Sequence, residues 1–216
     1  MFNPLQPLGM VLDFSDPTNG KVAVERTLEH FGRLDVLINN AGIFSLTFSA
    51  DPASYSEFER IMRINLDATV SATVAAIGAL KETQGQIIFI SSTASAKPHG
   101  RAYAYCASKA AMTMFAKCLA IDLAPQIKIN IVSPGPVVTD IGRNIPKSPG
   151  AQATQSMGSL TLDGRSGQPE EVADAVSFLI SSKAKFITGH ELFIDGGYLL
   201  KGASASDTLR PHVKLD

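Results

Sequence analysis

The chain alternates short apolar runs with longer segments that carry apolar residues at helical spacing. The run at 87–90 reads Ile-Ile-Phe-Ile, whereas the segment at 19–31 places Val24, Leu28 and Phe31 along one helical stripe. Short apolar runs without polar alternation are typical of strands buried on both faces, and helices connect such strands into parallel sheets. The pattern therefore predicts an α/β fold with a doubly wound parallel sheet. Predicted strands occupy 10–13, 36–38, 86–91, 127–132 and 191–194, and predicted helices occupy 19–31, 55–80, 104–121 and 170–180.

Composition places the chain among single-domain soluble proteins. With 216 residues, of which 45% are hydrophobic and 18% charged, it suits one domain at 1–198 followed by a polar tail at 199–216. A net charge of −1 without a basic patch argues against nucleic acid or an anionic membrane as a partner. No apolar run approaches the roughly 20 residues of a membrane span, and no signal peptide is recognisable. We therefore expect a cytoplasmic protein.

Two cysteines fall in the predicted helix at 104–121. Cys106 and Cys118 are too far apart on one helix to pair, and we expect both to be small buried hydrophobes. The apolar residues predicted to line one side of this helix are Ala107, Ala111, Met114, Phe115 and Cys118.

The same helix carries a pair with chemical potential. Tyr105 and Lys109 stand at i and i+4, so their side chains share one face. Tyrosine has an ordinary pKa of about 10, and a cation within about 4–6 Å stabilises its phenolate and lowers that pKa. The pair can therefore act as an acid-base centre, although the same spacing is also common in ordinary surface pairs.

Two polar residues earlier in the chain extend this pattern. Ser92 follows a predicted buried strand, where it can orient a substrate carbonyl or simply form a turn. Asn65 lies within the long predicted helix, where asparagine either faces solvent or has a specific partner. Asn40, Ser92 and the turn at 133–135 all follow predicted strands, so they meet at the carboxyl edge of a parallel sheet.

The ordered set of motifs resembles the short-chain dehydrogenase/reductase family, including its 3-oxoacyl-acyl-carrier-protein reductases. The resemblance covers about 12–198, nearly the whole chain. It rests on an aspartate motif at Asp13, an Asn-Asn-Ala-Gly motif at 39–42, and Asn65, Ser92, Tyr105 and Lys109 in the order of the family's catalytic tetrad. Further matches are the segments at 130–139 and 169–173, Thr-Gly at 188–189 and Asp-Gly-Gly at 195–197.

The resemblance implies an NAD(P)-dependent oxidoreductase that interconverts a ketone and a secondary alcohol. Tyr105 would donate the proton, Lys109 would lower the pKa of Tyr105 and hold the nicotinamide ribose, and Ser92 would orient the substrate oxygen. Asn65 would hold a relay water. The cofactor, NADP by family preference with NAD possible, would also contact Asn40, Val137 and Thr139, and its adenine would contact Asp13. A homodimer or homotetramer built on the Tyr105 helix and its neighbour is also implied.

The sequence departs from the family pattern at the start. The 216 residues contain no Gly-x-Gly-x-x-Gly turn, and we expect a Rossmann-like sheet lacking the first βαβα segment. A start-site or splice effect would leave an ordinary enzyme in the parent protein. The alternative is a catalytically impaired relative that acts as a binding or oligomerisation partner. Without the missing strands, the strand at 10–13 would either pair directly with 36–38 or remain loosely attached.

The substrate pocket is less defined by the sequence. Phe44, His99 and a lid at 140–168 are expected to shape it, although His99 is equally suited to a plain loop role. His30, His190 and His212 have no ligand-like spacing, so we infer no metal site.

Overall fold

A computed structural model describes residues 6–46, 53–142 and 151–201. Of the predicted polar tail at 199–216, only residues 199–201 lie within these ranges. The helices and strands are α1 (Thr18–Phe31), β1 (Val36–Asn39), α2 (Ala53–Met62), α3 (Ala68–Thr83), β2 (Gln86–Ile90), α4 (Tyr103–Leu123), β3 (Lys128–Pro134), α5 (Ala151–Ser156), α6 (Pro169–Ile180) and β4 (Glu191–Ile194).

The strands form one parallel sheet, which confirms the predicted fold class. Across the described part of the chain the sheet has four strands in the order β1-β2-β3-β4. Register is set by pairs such as Leu37 with Ile87 and Phe89 with Ile131. Because all strands run the same way, the residues that follow them share one edge of the sheet.

Both faces of the sheet are covered. Alternate residues of the central strands, such as Ile87, Phe89 and Ile131, face a core completed by α1, α3 and α4. The intervening residues Ile88 and Val132 face a second core formed with α6. This two-sided burial explains why β2 is apolar at every position after Gln86.

The long helix predicted at 55–80 is interrupted. A π-helical turn at Arg63–Asp67 separates α2 from α3 and contains the fully buried Asn65. Single π turns inside α-helices are frequent at functional sites because they shift side chains relative to the regular helix. The apolar periodicity of this segment predicted one continuous helix and gave no sign of the interruption.

The strand predicted at 10–13 is wrong. Residues 7–13 have no strand structure, and β1 pairs only with β2 among the described residues. A strand requires a partner for its backbone groups, and the apolar Val11 is instead fully exposed. Of the two outcomes expected for this segment, loose attachment is the one observed.

The side of α4 predicted to be lined by apolar residues is largely exposed, although Phe115 packs edge-on against Phe89 of β2. Ala107 and Cys118 are exposed and Met114 is 61% exposed, whereas Lys109 and Thr113 are buried. Cys118 is therefore not the buried hydrophobe we expected, and Cys106 is only partly buried. Within its described residues, the expected lid contains three short helical segments: a 3₁₀ turn at Asp140–Gly142, α5, and a 3₁₀ turn at Met157–Leu160. Its residues 143–150 lie outside the described ranges.

Within the described residues, no helix is both long and apolar enough to cross a bilayer.

Close packing of α1 on α3 depends on Gly20. A Cβ at this position would lie 2.3 Å from the carbonyl oxygen of Ala68 and 2.8 Å from the amide nitrogen of Ala72. We predict that Gly20→Ala lowers the free energy of unfolding by about 1–3 kcal/mol, because the two backbones must separate. Urea denaturation measures this change.

Gly9→Ala is the matched control, since a Cβ there meets nothing within 4 Å. It should leave the free energy of unfolding unchanged or raise it by at most about 1 kcal/mol. Equal effects of the two substitutions would contradict the packing argument.

Candidate active site

The polar residues predicted to meet at one edge of the sheet do so. Asn40 follows β1, Ser92 follows β2, and β3 ends at Pro134. Helix α4 packs against β2 and β3 and contributes Tyr105 and Lys109 to the same edge. The structure therefore assembles Ser92, Tyr105 and Lys109 from two separate elements.

Ser92 caps a short turn and also contacts Tyr105. Its backbone is extended, with φ −169° and ψ 158°, and its Oγ accepts a hydrogen bond of 3.1 Å from the amide of Ala94 in the 3₁₀ turn Thr93–Ser95. The hydroxyl proton then remains available for donation. A hydrogen bond from Ser92 acts to lower the pKa of Tyr105, which places the two hydroxyls together. The catalytic and turn-forming roles considered for Ser92 are thus compatible.

Tyr105 is buried in apolar surroundings. Its ring packs edge-on against Phe44, with centroids 5.0 Å apart, and it clusters with Ala94 and Ala102. Burial raises the pKa of Tyr105; the hydrogen bond from Ser92 opposes this effect, and the neighbouring Cys106 adds to it. Desolvation of the phenolate is thus the largest influence on Tyr105 in this structure, and the lowering of its pKa by Lys109 stays a prediction.

Lys109 is a buried cation. It is 4% exposed, and its Nζ lies 5.8 Å from the centre of the Tyr105 ring. Nζ donates a hydrogen bond of 2.8 Å to the carbonyl of Ile90, the last residue of β2. Burial lowers the pKa of Lys109 to about 8, since the charged form loses its hydration. The ammonium has two more protons, which can reach hydroxyl groups of a bound ligand.

Asn65 has specific partners rather than solvent contacts. Its Oδ1 accepts from the amide of Ile43 at 2.8 Å, and its Nδ2 donates to the carbonyl of Ile43 at 3.0 Å. Nδ2 also donates to Oγ of Ser108 at 3.1 Å, and Ser108 in turn donates to the carbonyl of Tyr105 at 2.8 Å. Asn65 thus joins the loop after β1 to α4, and its proposed part in a water relay stays a prediction.

The buried hydroxyls of Ser91 and Thr113 fix α4 against β2, and neither was predicted to be a site residue. Ser91 and Thr113 lie 2.7 Å apart through their oxygens, and the Ser91 hydroxyl is also 3.2 Å from the carbonyl of Lys109. These contacts set the position of α4 along its axis, which decides whether Tyr105 reaches Ser92. The sequence signals available were only the serine pair at 91–92 and a threonine four residues after Lys109.

The predicted cofactor residues lie in two places. Asn40 lines a cavity of about 160 Å³ together with Phe14, Leu37 and Ala41. Val137 and Thr139 belong to a segment that is held by α5 and by the residues after it. The amide of Thr139 donates to Oγ1 of Thr154 in α5, and the amide of Val138 donates to the carbonyl of Gly167.

Asp13 does not join these groups. It is exposed before α1, where its carboxylate accepts from the amide of Ser15; this hydrogen bond lowers the pKa of Asp13. Its proposed contact with adenine is therefore supported only by the position of the neighbouring Phe14, which lines the cavity next to Asn40.

Of the two expected pocket residues, only Phe44 contacts a tetrad residue, through its ring contact with Tyr105. His99 instead stacks on Tyr198, with ring planes 18° apart and centroids 5.8 Å apart. The pKa of His99 is lowered by burial and by the nearby Lys97.

Comparison with known proteins identifies the family. The model of the family described as enoyl-(acyl carrier protein) reductase matches residues 4–199. Cyclopentanol dehydrogenase of Comamonas sp. is 39% identical over 189 residues, which are 87% of this chain and 74% of that protein. The chain belongs to the short-chain dehydrogenase/reductase family.

Two solved structures of this family match the fold. A blue fluorescent protein from a metagenomic library, in complex with NADPH, superposes with a TM-score of 0.76 at 31% identity, covering 86% of this chain and 73% of that one. The 3-ketoacyl-(acyl-carrier-protein) reductase of Brucella melitensis, complexed with NADH, gives a TM-score of 0.77 at 30% identity, covering 88% and 78%. The Rossmann-like classification is therefore confirmed.

The residues present fit the nicotinamide half of a dinucleotide cofactor. Gly42 keeps open the space beside Asn65 and Lys109, because a Cβ there would lie 3.3 Å from Oδ1 of Asn65 and 3.6 Å from Nζ of Lys109. Lys109 supplies free donors and Asn40 an exposed amide at the same edge. Across the described ranges, no three His, Cys, Asp or Glu side chains come together in an arrangement that could hold a metal ion.

The buried charge of Lys109 predicts a dependence of stability on pH. Its folded pKa of about 8 lies below the ordinary 10.5, so below pH 8 its charged form costs the folded state about 3 kcal/mol, and this cost disappears as the pH rises toward 10.5. Lys109→Met should therefore raise the free energy of unfolding at pH 7 by about 1–3 kcal/mol, after allowance for the lost bond to Ile90. The gain should shrink toward zero at pH 10.

Urea denaturation at pH 7 and pH 10 provides the measurement. Lys21→Met, which removes a lysine whose side chain is 63% exposed, is the control and should show no such dependence. A Lys109→Met protein less stable than the native one by the same amount at both pH values would contradict the predicted desolvation.

Proposed function

We propose that this protein reduces a ketone to a secondary alcohol, and catalyses the reverse oxidation, with Tyr105 as the general acid and base. The observation that carries the proposal is the convergence of Ser92, Tyr105 and Lys109, from two elements, at the carboxyl edge of the sheet. The nicotinamide cofactor, when bound, supplies or accepts the hydride. The chain's own residues bind the cofactor, orient the substrate oxygen and exchange a proton with it.

Each residue has a defined part in this proposal. Ser92 holds the substrate oxygen beside the phenol, using the proton that its turn-capping contact leaves free. Tyr105 donates its proton to that oxygen in the reducing direction. Lys109 stabilises the resulting phenolate and holds the ribose hydroxyls, while Asn65 fixes the loop at Ile43 beside them. Asn40, Val137, Thr139 and Asp13 remain proposed cofactor contacts.

The raised pKa of Tyr105 favours the reducing direction at neutral pH. An acid must carry its proton to donate it, and burial keeps the phenol protonated. Oxidation of an alcohol requires the phenolate, so its rate should increase as the pH rises.

The proposed cofactor is NADP, with NAD as the second choice. Relatives of both kinds exist, since one matching structure holds NADPH and another holds NADH. The similarity to cyclopentanol dehydrogenase and the apolar cluster around Tyr105 favour a small, largely apolar alcohol or ketone as substrate.

We predict that Tyr105→Phe lowers kcat by about 10²–10⁴, because the ring stays in place while the proton donor is lost. Steady-state assays with a panel of ketones and NADPH measure this change. Tyr103→Phe is the matched control on the same helix, since Tyr103 stacks on Phe58 outside the tetrad. A Tyr105→Phe protein that keeps more than about a tenth of kcat would reject Tyr105 as the acid.

The strength of cofactor binding measures how far the residues present can hold a dinucleotide without a Gly-x-Gly-x-x-Gly turn. The 216 residues hold no Gly-x-Gly-x-x-Gly turn, and amide hydrogen bonds to a charged group contribute about 1.5–3 kcal/mol each. A protein of this sequence should therefore bind NADPH and NADH with dissociation constants of about 1 mM or weaker. Fluorescence titration tests this, and a micromolar constant would show that the residues present suffice for tight binding.

We also propose that α3 and α4 pack against a second copy of the chain. The exposed Val74 lies on α3, and the exposed Met114 and Ile121 lie on α4, which also carries the small exposed Ala107 and Ala110. Light scattering should show a dimer or tetramer at micromolar concentration, and Met114→Lys should shift it toward monomer. Tyr55→Lys, a similar change on the exposed side of α2, should not. A native protein that is well folded and monomeric would contradict this interface.

A further inference from the structure

The carboxylate of Glu191 lies among four elements that surround the candidate active site. Glu191 is the first residue of β4, and its side chain is only 12% exposed. One oxygen, Oε1, accepts from Ser95 at 2.9 Å and from Ser133 at 2.8 Å. The other, Oε2, accepts from Lys117 of α4 at 2.8 Å. Three donors thus converge on one largely buried charge.

The two serines belong to the turns that flank the site. Ser95 ends the turn that Ser92 caps, and Ser133 directly precedes Pro134 and Gly135 at the end of β3. The first turn carries the hydroxyl proposed to hold the substrate oxygen. The second lies at the edge of the sheet where the strand leads into Val137 and Thr139.

Competition for the Ser95 proton favours the carboxylate. The Ser95 hydroxyl has one proton and two acceptors, the carbonyl of Ser92 at 2.7 Å and Oε1 of Glu191 at 2.9 Å. A charged carboxylate is the stronger acceptor. The Ser92 carbonyl still accepts from the amide of Ser95 at 3.0 Å, so both acceptors are satisfied when the hydroxyl donates to Glu191.

The charge on Glu191 is maintained by its donors. Burial alone would raise the pKa of this carboxyl, but hydrogen bonds from Lys117, Ser133 and Ser95 outweigh burial and leave the pKa below its ordinary value. The carboxylate is therefore ionised at neutral pH, where it holds its donors by charge-assisted bonds.

We propose that Glu191 is a positioning residue that fixes the Ser92 turn and the Ser133–Gly135 turn relative to each other and to α4. The fixing of the two turns by Glu191 does not depend on catalysis. The effect of Glu191 on turnover, in contrast, rests on the proposed function. Loss of the carboxylate would release both turns at once, although they are distant in sequence.

Hydrogen exchange of backbone amides tests the positioning directly and requires no catalytic activity. The amides of Ser95 and Lys97 report on the first turn, through their bonds to Ser92 and Thr93, and the amide of Gly135 reports on the second, through its bond to Ile194. In Glu191→Ala these amides should exchange at least about tenfold faster, with Glu191→Gln intermediate.

Gln86→Ala is the matched control, because Gln86 is half-buried at the opposite end of β2 and donates one hydrogen bond to the carbonyl of Ile180. It should leave the reporter amides of both turns within about twofold of native. Unchanged exchange at the turns in Glu191→Ala and Glu191→Gln would overturn the proposal. Equal acceleration at every slowly exchanging amide would also overturn it, since that result indicates general destabilisation.

A kinetic cycle with Ser92→Ala tests the consequence for turnover. If Glu191 acts by placing Ser92, Glu191→Gln should lower kcat by about tenfold in the native background but by less than about twofold once the Ser92 hydroxyl is absent. Equal losses in both backgrounds would contradict action through Ser92. Failure of the proposed function would be recognised separately. Tyr105→Phe would then keep full activity, while the reporter amides of Glu191→Ala would still exchange faster than those of the native protein.

Discussion

The hydrogen bond from the buried ammonium of Lys109 to the carbonyl of Ile90 is the contact on which the candidate site depends. It ties α4 to the last residue of β2, one residue before Ser91 and two before Ser92. Ser91 and Thr113 add a second tie between the same elements. Because Tyr105 is one helical turn before Lys109, fixing Lys109 on β2 also fixes the phenol beside the Ser92 hydroxyl.

This arrangement costs stability and supplies reactivity. Burial of an ammonium without a carboxylate partner among the described contacts is unfavourable, and the pKa of about 8 for Lys109 expresses that cost. The same exclusion of water keeps the Tyr105 phenol protonated and strengthens each nearby electrostatic interaction. Polar side chains that join distant segments, such as Asn65 with Ile43, hold the groups in place. The stability cost and the catalytic groups therefore lie together, in the first two turns of α4.

The sequence was sufficient to predict the alternation of strands and helices and the edge of the sheet at which Asn40, Ser92 and the turn at 133–135 lie. A buried strand such as β2 is recognised from its continuous run of apolar residues. Tyr105 and Lys109 are only four residues apart, so their common helix face can be predicted from the sequence. The buried side of α4 could not be predicted, because Ser108, Lys109 and Thr113 are buried only through partners on other elements: Asn65, Ile90 and Ser91. The strand expected at 10–13 failed for the same reason, since strand formation depends on a partner that local pattern does not reveal. Glu191 had no local signal, because its serine and lysine partners are far away in sequence.

We infer that burial, rather than the charge of Lys109, sets the ionisation of Tyr105 in the protein without cofactor. Carbon-13 NMR of labelled tyrosine measures it directly, because the ring carbon bonded to oxygen shifts on deprotonation. The chain has 4 tyrosines, and comparison with Tyr105→Phe assigns the resonance. We predict that the Tyr105 phenol stays protonated beyond the ordinary pKa of about 10. Deprotonation of Tyr105 below about pH 8 would contradict it and would show that the nearby ammonium controls the phenol.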